Sequence, residues 1–263
     1  MLEVRHIRVS ARNGRELLRD VSFSLGPGQV LGLTGQSGSG KTTLIKSVMG
    51  ILDRTCRLKD GGIAVDGVEI TGLPAGKRRN LCGTTLGFVP QNPMTAFDGR
   101  VKVGKQVTET FRLRLKLSGA AARGLAEEKL EAVNLTDAGR VLESYPGQVS
   151  GGMLQRVAMA ILLGLGPRYI LADEPTSALD ETNRLLLLEL LRKQAARAGI
   201  LMISHDVSAM QSLCEKVLVM AGGEIIEEGT MDKLLFAPEG QWTKEFAAAS
   251  QRCGREEWKW REL

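Results

Sequence analysis

The chain has 263 residues, 43% hydrophobic and 25% charged, enough for one sizeable core with a satellite lobe. A net charge of +5, from 35 basic and 30 acidic residues, does not demand nucleic acid; it suits nucleotide binding, an anionic surface or plain solubility. Cys56, Cys82, Cys214 and Cys253 are scattered without a C-x-x-C pair, which speaks against a structural metal or a disulfide framework and for a reducing cytosol.

The first residues carry charge and no apolar h-region, so no signal peptide is expected. The longest apolar runs, 161–165 and 185–191, are too short to cross a bilayer, so any membrane role runs through a partner. Residues 2–9 and 21–25 read as strands. After the turn signal Gly26-Pro27-Gly28, the apolar run Val30-Leu31-Gly32-Leu33 reads as a buried strand.

Gly35-Gln36-Ser37-Gly38-Ser39-Gly40-Lys41-Thr42-Thr43 follows and fits G-x-x-x-x-G-K-[ST] at every fixed position. The glycines let the backbone curl so that successive N–H groups point at phosphate oxygens. Lys41 brings an ammonium to the β- and γ-phosphates, and the Thr42 hydroxyl suits Mg²⁺. A helix over Lys41–Met49 adds the positive end of its dipole. Strand, glycine loop and helix together are what a phosphate-binding loop requires.

Ile63-Ala64-Val65, Asp66-Gly67 and Val68-Glu69-Ile70 make a hairpin signal, since Asp-Gly fits a type I′ turn. These early strands are expected to form an antiparallel sheet on the edge of the nucleotide core. Lys77-Arg78-Arg79 reads as a solvated loop or helix face. Leu86-Gly87-Phe88-Val89 is a further buried strand, ending at Pro90-Gln91.

From residue 101 to 135 apolar positions recur at helical steps, and an inserted helical lobe is expected over about residues 92–164. Its Arg112, Arg114 and Lys116 read as the wet side of an amphipathic helix rather than a nucleic-acid face. Ser150-Gly151-Gly152-Met153 opens a helical stretch. A helix start with a Ser and two Gly is a second anion site, and two phosphate cradles in one chain suggest a nucleotide held between two subunits.

Tyr169-Ile170-Leu171-Ala172 and Ile200-Leu201-Met202-Ile203 are core strands with a leucine-rich helix at 181–198 between them, a βαβ crossover that implies a parallel sheet. Asp173 at the strand end offers a carboxylate to Mg²⁺, and Glu174 beside it can orient and deprotonate a water. Residues 216–220 and 224–228 flank Ala221-Gly222-Gly223 as a terminal hairpin. The tail at 252–263, with Trp258 and Trp260, reads as a frayed helix touching a neighbour. The expected class is therefore α/β: a P-loop core with a mainly parallel sheet, an antiparallel β subdomain and an inserted helical lobe.

Taken in order, these motifs resemble those of ATP-binding-cassette (ABC) ATPase subunits, over nearly the whole chain. Gly35 to Thr42 resembles the Walker A loop, and Gln91 the Q-loop glutamine that reaches Mg²⁺ and senses a transmembrane partner. Val149-Ser150-Gly151-Gly152-Met153, followed by Leu154-Gln155-Arg156, resembles the family signature. Asp173 and Glu174 resemble the Walker B aspartate and catalytic glutamate, Ser177-Ala178-Leu179-Asp180 the D-loop, and His205 the switch histidine at the γ-phosphate.

The resemblance implies one ABC ATPase domain over residues 1–247 with a charged tail at 248–263. It implies ATP and Mg²⁺ as cofactors: Glu174, His205 and Gln91 catalytic; Thr42, Gln91 and Asp173 at the metal; Ser150, Gly151, Gly152 and Asp180 toward the ATP of a partner cassette. Two cassettes would meet head to tail beside two transmembrane permeases at the cytoplasmic face of the inner membrane, served indirectly by an extracytoplasmic solute-binding protein and without nucleic acid.

Gln91-Asn92-Pro93-Met94-Thr95-Ala96-Phe97-Asp98, Ser144-Tyr145-Pro146, Leu235-Phe236-Ala237-Pro238 and Trp242-Thr243-Lys244 are similar to the oligopeptide/dipeptide/nickel importer branch. The Ser-Gly-Gly-Met signature and short tail are most similar to nickel or metal-chelate import subunits, where the resemblance implies two different cassettes. A di- or oligopeptide importer is the alternative. A soluble, non-transport ABC ATPase is the alternative of another class: the lack of sustained heptads stands against a DNA-repair or chromosome-maintenance cassette, and the single P-loop against a tandem-cassette translation-type regulator, while an exporter subunit stays open beside the importer. Two departures stand out. Val9-Ser10-Ala11-Arg12-Asn13 lacks the aromatic residue that usually stacks on adenine, so either the Arg12 guanidinium stacks on the base or the adenine is loosely held. Met153 stands where the signature usually has Gln, and a thioether cannot donate as an amide does.

Overall fold

The computed structural model of the protein describes residues 1–177 and 179–258. In chain order the strands and helices are β1 (Leu2–Ala11), β2 (Glu16–Leu25), β3 (Val30–Gly35), α1 (Lys41–Met49), β4 (Cys56–Val65), β5 (Val68–Glu69), α2 (Ala75–Leu81) and β6 (Leu86–Val89). Four helices follow: α3 (Val103–Leu115), α4 (Gly119–Ala132), α5 (Ala138–Glu143) and α6 (Gly151–Leu165). The chain continues with β7 (Tyr169–Asp173), α7 (Glu181–Ala195), β8 (Gly199–Ile203), α8 (Val207–Leu213), β9 (Lys216–Ala221), β10 (Glu224–Gly229), α9 (Met231–Phe236) and α10 (Gln241–Trp258).

The strands form two sheets. One is six-stranded in the order β10-β9-β3-β8-β7-β6, parallel except for β10, and the other is four-stranded and antiparallel in the order β2-β1-β4-β5. Strands covered on both faces are apolar throughout, with neighbours pointing to opposite sides. Ile200 and Met202 of β8 join one apolar cluster, while Leu201 and Ile203 join the other. Ile170 and Ala172 of β7 pack with the helices α3 to α7; Tyr169 and Leu171 pack with α1 and the antiparallel sheet.

Two features depart from the sequence reading and a third extends it. The antiparallel sheet does not sit on an edge of the core: Leu2, Val4, Ile7, Val21 and Ile63 share one cluster with Leu44, Ile45 and Val48 of α1 and the inner residues of β3 and β8, so it covers a face. The alternating buried residues of three strands need a whole apolar face to bury against. The terminal hairpin forms as expected, β10 antiparallel to β9, and beyond that reading it belongs to the core sheet, because β9 pairs in parallel with β3. Residue 178 and the end of the tail, including Trp260, lie outside the described residues.

The second departure is Arg78. It is half-buried rather than solvated, and its Nη2 donates to the carbonyls of Ser47 (2.5 Å) and Val48 (3.3 Å) at the end of α1. The last carbonyls of a helix have no partner within it, and a cation there also meets the negative end of the dipole. Arg78 therefore finishes the helix that begins at Lys41. The hairpin turn at Asp66 and Gly67 has φ of 53° and 79°, as a type I′ turn requires. Asp66 accepts from Tyr169 Oη (2.8 Å) and pairs with Arg168 (2.6 Å), binding the antiparallel sheet to the start of β7. Burial, and then the Asp66 carboxylate, push the Tyr169 hydroxyl up to about 12.

Replacing Arg78 by Ala should lower the unfolding free energy by about 2 kcal/mol, since it leaves helix-end carbonyls without their charged donor. Chemical denaturation read by circular dichroism checks this, and Arg78→Lys should recover only part of the loss.

Candidate functional site

The glycine loop begins where β3 ends. Gly35 has a φ of 143°, and a Cβ there would lie 2.0 Å from the carbonyl oxygen of Met220 on β9. Gly40 caps α1 at a φ of 102°, and its missing Cβ would come 2.7 Å from Leu17 O on β2. The loop is thus wedged between the two sheets, and only glycine fits at its two ends. Gln36, Ser37 and Gly38 are exposed at its tip. Lys41 is buried and donates to Gly35 O (2.7 Å) and Gln36 O (2.9 Å), so its ammonium lies inside the curl. Thr42 and Thr43 open α1, and Thr42 is exposed.

The acidic pair comes from the neighbouring strands. Ile203 of β8 stands opposite both Leu33 of β3 and Asp173 of β7, so Lys41, Asp173, Glu174 and His205 all emerge from one edge of the sheet. Asp173 is buried and accepts from the Thr42 hydroxyl. Desolvation raises its pKa, helped by the Glu174 charge and opposed by Lys41. Lys41 is lowered, chiefly by desolvation, against the pull of both carboxylates. His205 also falls below its usual value, through desolvation first and the Lys41 charge second.

Glu174 has a φ of 46°, the left-handed region that a non-glycine residue rarely adopts. Three bonds hold it there: its N–H donates to Ile203 O (2.9 Å), and its carbonyl accepts from Ser177 N (3.2 Å) and Ser177 Oγ (3.0 Å). Its carboxylate is met from both sides. Gln91 Nε2 donates to Oε2 at 3.3 Å, and His205 Nε2 lies 3.4 Å from Oε1. The structure therefore joins the glutamine after β6, the acidic pair at the end of β7 and the histidine after β8 around one carboxylate.

Ser150, Gly151 and Gly152 form a second locus at the start of α6. Ser150 caps the helix, its Oγ accepting from Met153 N at 3.2 Å. Met153 packs partly buried against the core, an apolar contact that suits a thioether. Asp180 caps α7 with its side chain. Arg12 sits exposed at the tip of the β1–β2 hairpin, where its N–H donates to Thr55 O at 2.6 Å.

The residues fit a nucleotide and a hard cation. The Thr42 hydroxyl and the Asp173 carboxylate form an oxygen donor set beside an ammonium, the chemistry of a magnesium–phosphate site. Ser39 Oγ in the loop is buried without a hydrogen-bond partner among the described residues. Sequence reasoning missed Arg184, whose Nη1 donates to Asp206 Oδ2 at 2.7 Å and fixes the loop that carries His205 to α7. Its spacing from Glu181 is readable as an i,i+3 pair, but the partner 22 residues away is not.

The ABC transporter family model matches residues 18–177. The metal-staphylopine import system ATP-binding protein of Staphylococcus aureus is 35% identical over 247 residues, covering 93% of this chain and 91% of its own length. The oligopeptide transport ATP-binding protein of Bacillus subtilis is 34% identical over 249 residues, 92% of this chain and 70% of its own. Among solved structures, a dimeric ATP-binding cassette in a post-hydrolysis state with ADP and Pi superposes with a TM-score of 0.78 at 24% identity, over 88% of this chain and 99% of that one. That likeness is one of fold.

Two of the three loop glycines, Gly38 and Gly35, should respond differently to a methyl group. A Cβ at Gly38 meets nothing within 4 Å, so Gly38→Ala carries only the left-handed strain of about 1–2 kcal/mol. Gly35→Ala must displace β9 and should cost several-fold more stability, with loss of ATP binding. Thermal unfolding and equilibrium nucleotide titration of the two variants check the difference.

Proposed function

The chain belongs to the ABC transporter family as an ATP-binding cassette, and from that premise we propose that it drives import of nickel or a chelated transition metal. It is an ATPase. The observation that carries the mechanism is the Glu174 carboxylate held between Gln91 and His205, beside Lys41 and Asp173.

The glycine loop and the first turn of α1 cradle the phosphates, and Lys41 turns its ammonium to the β- and γ-oxygens. Thr42, Asp173 and Gln91 would hold Mg²⁺, which would neutralise charge on the β- and γ-phosphates. Glu174 orients a water for in-line attack on the γ-phosphorus and accepts its proton; the bond to the ADP oxygen breaks as the new P–O bond forms. His205, neutral by burial, donates a hydrogen bond to the γ-phosphate. Arg12 lays its guanidinium on the adenine.

A second cassette, a paralogue of this chain, binds head to tail. Ser150, Gly151, Gly152 and Asp180 of this chain then clamp the partner's ATP, with the N-terminus of α6 supplying free N–H groups. The Gln91 loop borders a groove of about 330 Å³ lined by Phe88, Pro90, Phe97, Gln106, Thr110 and Ile161. This groove takes a helix of a permease subunit, so that closure of the two cassettes pulls on the membrane partner. Among the described residues no helix is long and apolar enough to cross a membrane, in keeping with a peripheral subunit at the cytoplasmic face.

The metal reading follows the staphylococcal metal-staphylopine relative and the Ser-Gly-Gly-Met signature. Short peptides are the second reading, favoured by the Bacillus oligopeptide relative.

Glu174→Gln keeps the shape and removes the proton acceptor. ATP binding should persist while turnover in the assembled transporter falls by roughly two to four orders of magnitude. Turnover near that of the native chain would remove Glu174 from its role. For the cargo, the gene is deleted and uptake of radiolabelled nickel and of a dipeptide is measured at limiting concentrations. Lost nickel uptake with intact dipeptide uptake is expected; the reverse would transfer the assignment to peptides and leave the hydrolysis mechanism standing.

A further inference from the structure

The first turn of α7 carries a side chain whose bonds reach back to α6. Asn183 N donates to Asp180 Oδ1 at 2.9 Å, and Asn183 Nδ2 donates to Asp180 Oδ2 at 2.6 Å. Its Oδ1 accepts from Arg156 twice, from Nε at 2.9 Å and from Nη2. Arg156 Nη1 donates further to Asn134 O at 3.2 Å, beyond the end of α4. The amide also lies close to the signature: a Cβ on Gly152 would come 3.3 Å from Asn183 Nδ2.

This geometry asks for an amide. Oδ1 spends both acceptor positions on Arg156 while Nδ2 donates to Asp180, and no other side chain of that volume accepts on one side and donates on the other. An Asp would lose the donor and set a carboxylate against Asp180. A Val or Leu would lose both and leave the Arg156 fork facing an apolar wall. Among the described residues, the other side-chain bond from the start of α6 to the acidic loop is Gln155 Nε2 to Pro175 O, a long one at 3.4 Å. Asn183 therefore closes the contact between two helix starts, one capped by Ser150 and the other by Asp180.

We propose that Asn183 is a positioning residue for hydrolysis at the partner's ATP, clasping Gly152 and the start of α6 to Asp180 so that both present to the partner as one rigid surface. The proposal rests on the reading of Ser150 to Gly152 as the half-site for the partner's nucleotide. Donors aimed at a phosphate act through pre-organisation, so a small misplacement of the α6 N–H groups costs rate without touching the chain's own glycine loop.

The test uses the assembled transporter, with this chain present as wild type, Asn183→Ala, Asn183→Asp or Ser150→Ala. Asn183→Asp keeps the shape and so guards against a variant that fails to fold. Both Asn183 variants should lower kcat for ATP about tenfold. Binding of a fluorescent ATP analogue to the isolated chain should stay within about twofold of wild type, because that reading samples only its own glycine loop. Wild-type kcat in both Asn183 variants, with turnover impaired in Ser150→Ala, overturns the clasp. Wild-type kcat in all three overturns the signature reading beneath it. An equal loss of kcat and of the isolated chain's nucleotide affinity also overturns the proposal, since it marks a general structural role.

Discussion

Three parallel strands set the distances in this protein. Ile203 on β8 pairs with Leu33 on β3 on one side and with Asp173 on β7 on the other. Glu174 and His205 follow that row within two residues, and Gln91 stands two residues past Val89, which pairs with Ala172 one step before it. A slip of one residue in either pairing would turn the inward side chains of β7 or β8 to the wrong cluster. The apolar alternation on both faces therefore fixes the register, and the register fixes the site. Gly35 tightens this further, because β9 approaches so closely that no side chain fits between.

The charges at that edge are held under mutual tension. Burial alone would favour a protonated Asp173 and a deprotonated Lys41, and each partly offsets the cost of the other. Glu174 sits at the rim, its backbone in the left-handed region and its carboxylate shared between a glutamine and a histidine from different loops. Such strain persists only where surrounding bonds over-determine it, and here the Ile203 carbonyl and the Ser177 N–H and hydroxyl do so. A carboxylate fixed in this way needs little reorganisation when a proton arrives.

What the sequence made legible was local. The glycine loop, the strand ending in Asp173-Glu174 and the start of α6 are continuous stretches whose residue types follow from phosphate chemistry, and α1 and β6 fall where the patterns put them. What it hid was contact between distant stretches. Lys77-Arg78-Arg79 reads as solvated because nothing local tells that Arg78 will end the helix built at Lys41. The first residues of β2 and β4 carry charged outer faces that mask the strand period, and they become strands because β1 is long enough to pair with both. Asn183 looks like an ordinary polar residue near a helix start until α6 arrives beside it.

The clasp also bears on how a helical lobe inserted in the chain is referred to the core. The lobe is one apolar body: Phe111 of α3 fills the notch at Gly164 of α6, and α4 and α5 join the same cluster. Apolar packing is non-directional and leaves the angle of α6 against α7 soft by comparison with hydrogen bonds of defined geometry. Arg156 spans that joint, bonded to Asn134 within the lobe and to Asn183 on α7. Buried or half-buried polar contacts of this kind add little net stability over an apolar pair, so their value lies in fixing one arrangement. The start of α6 is then set by the same helix whose Arg184 holds the Asp206 next to His205. One helix, α7, thereby indexes both the sheet end that carries Glu174 and His205 and the start of α6, and the two stand in a fixed relation because the same first turn carries both bonds.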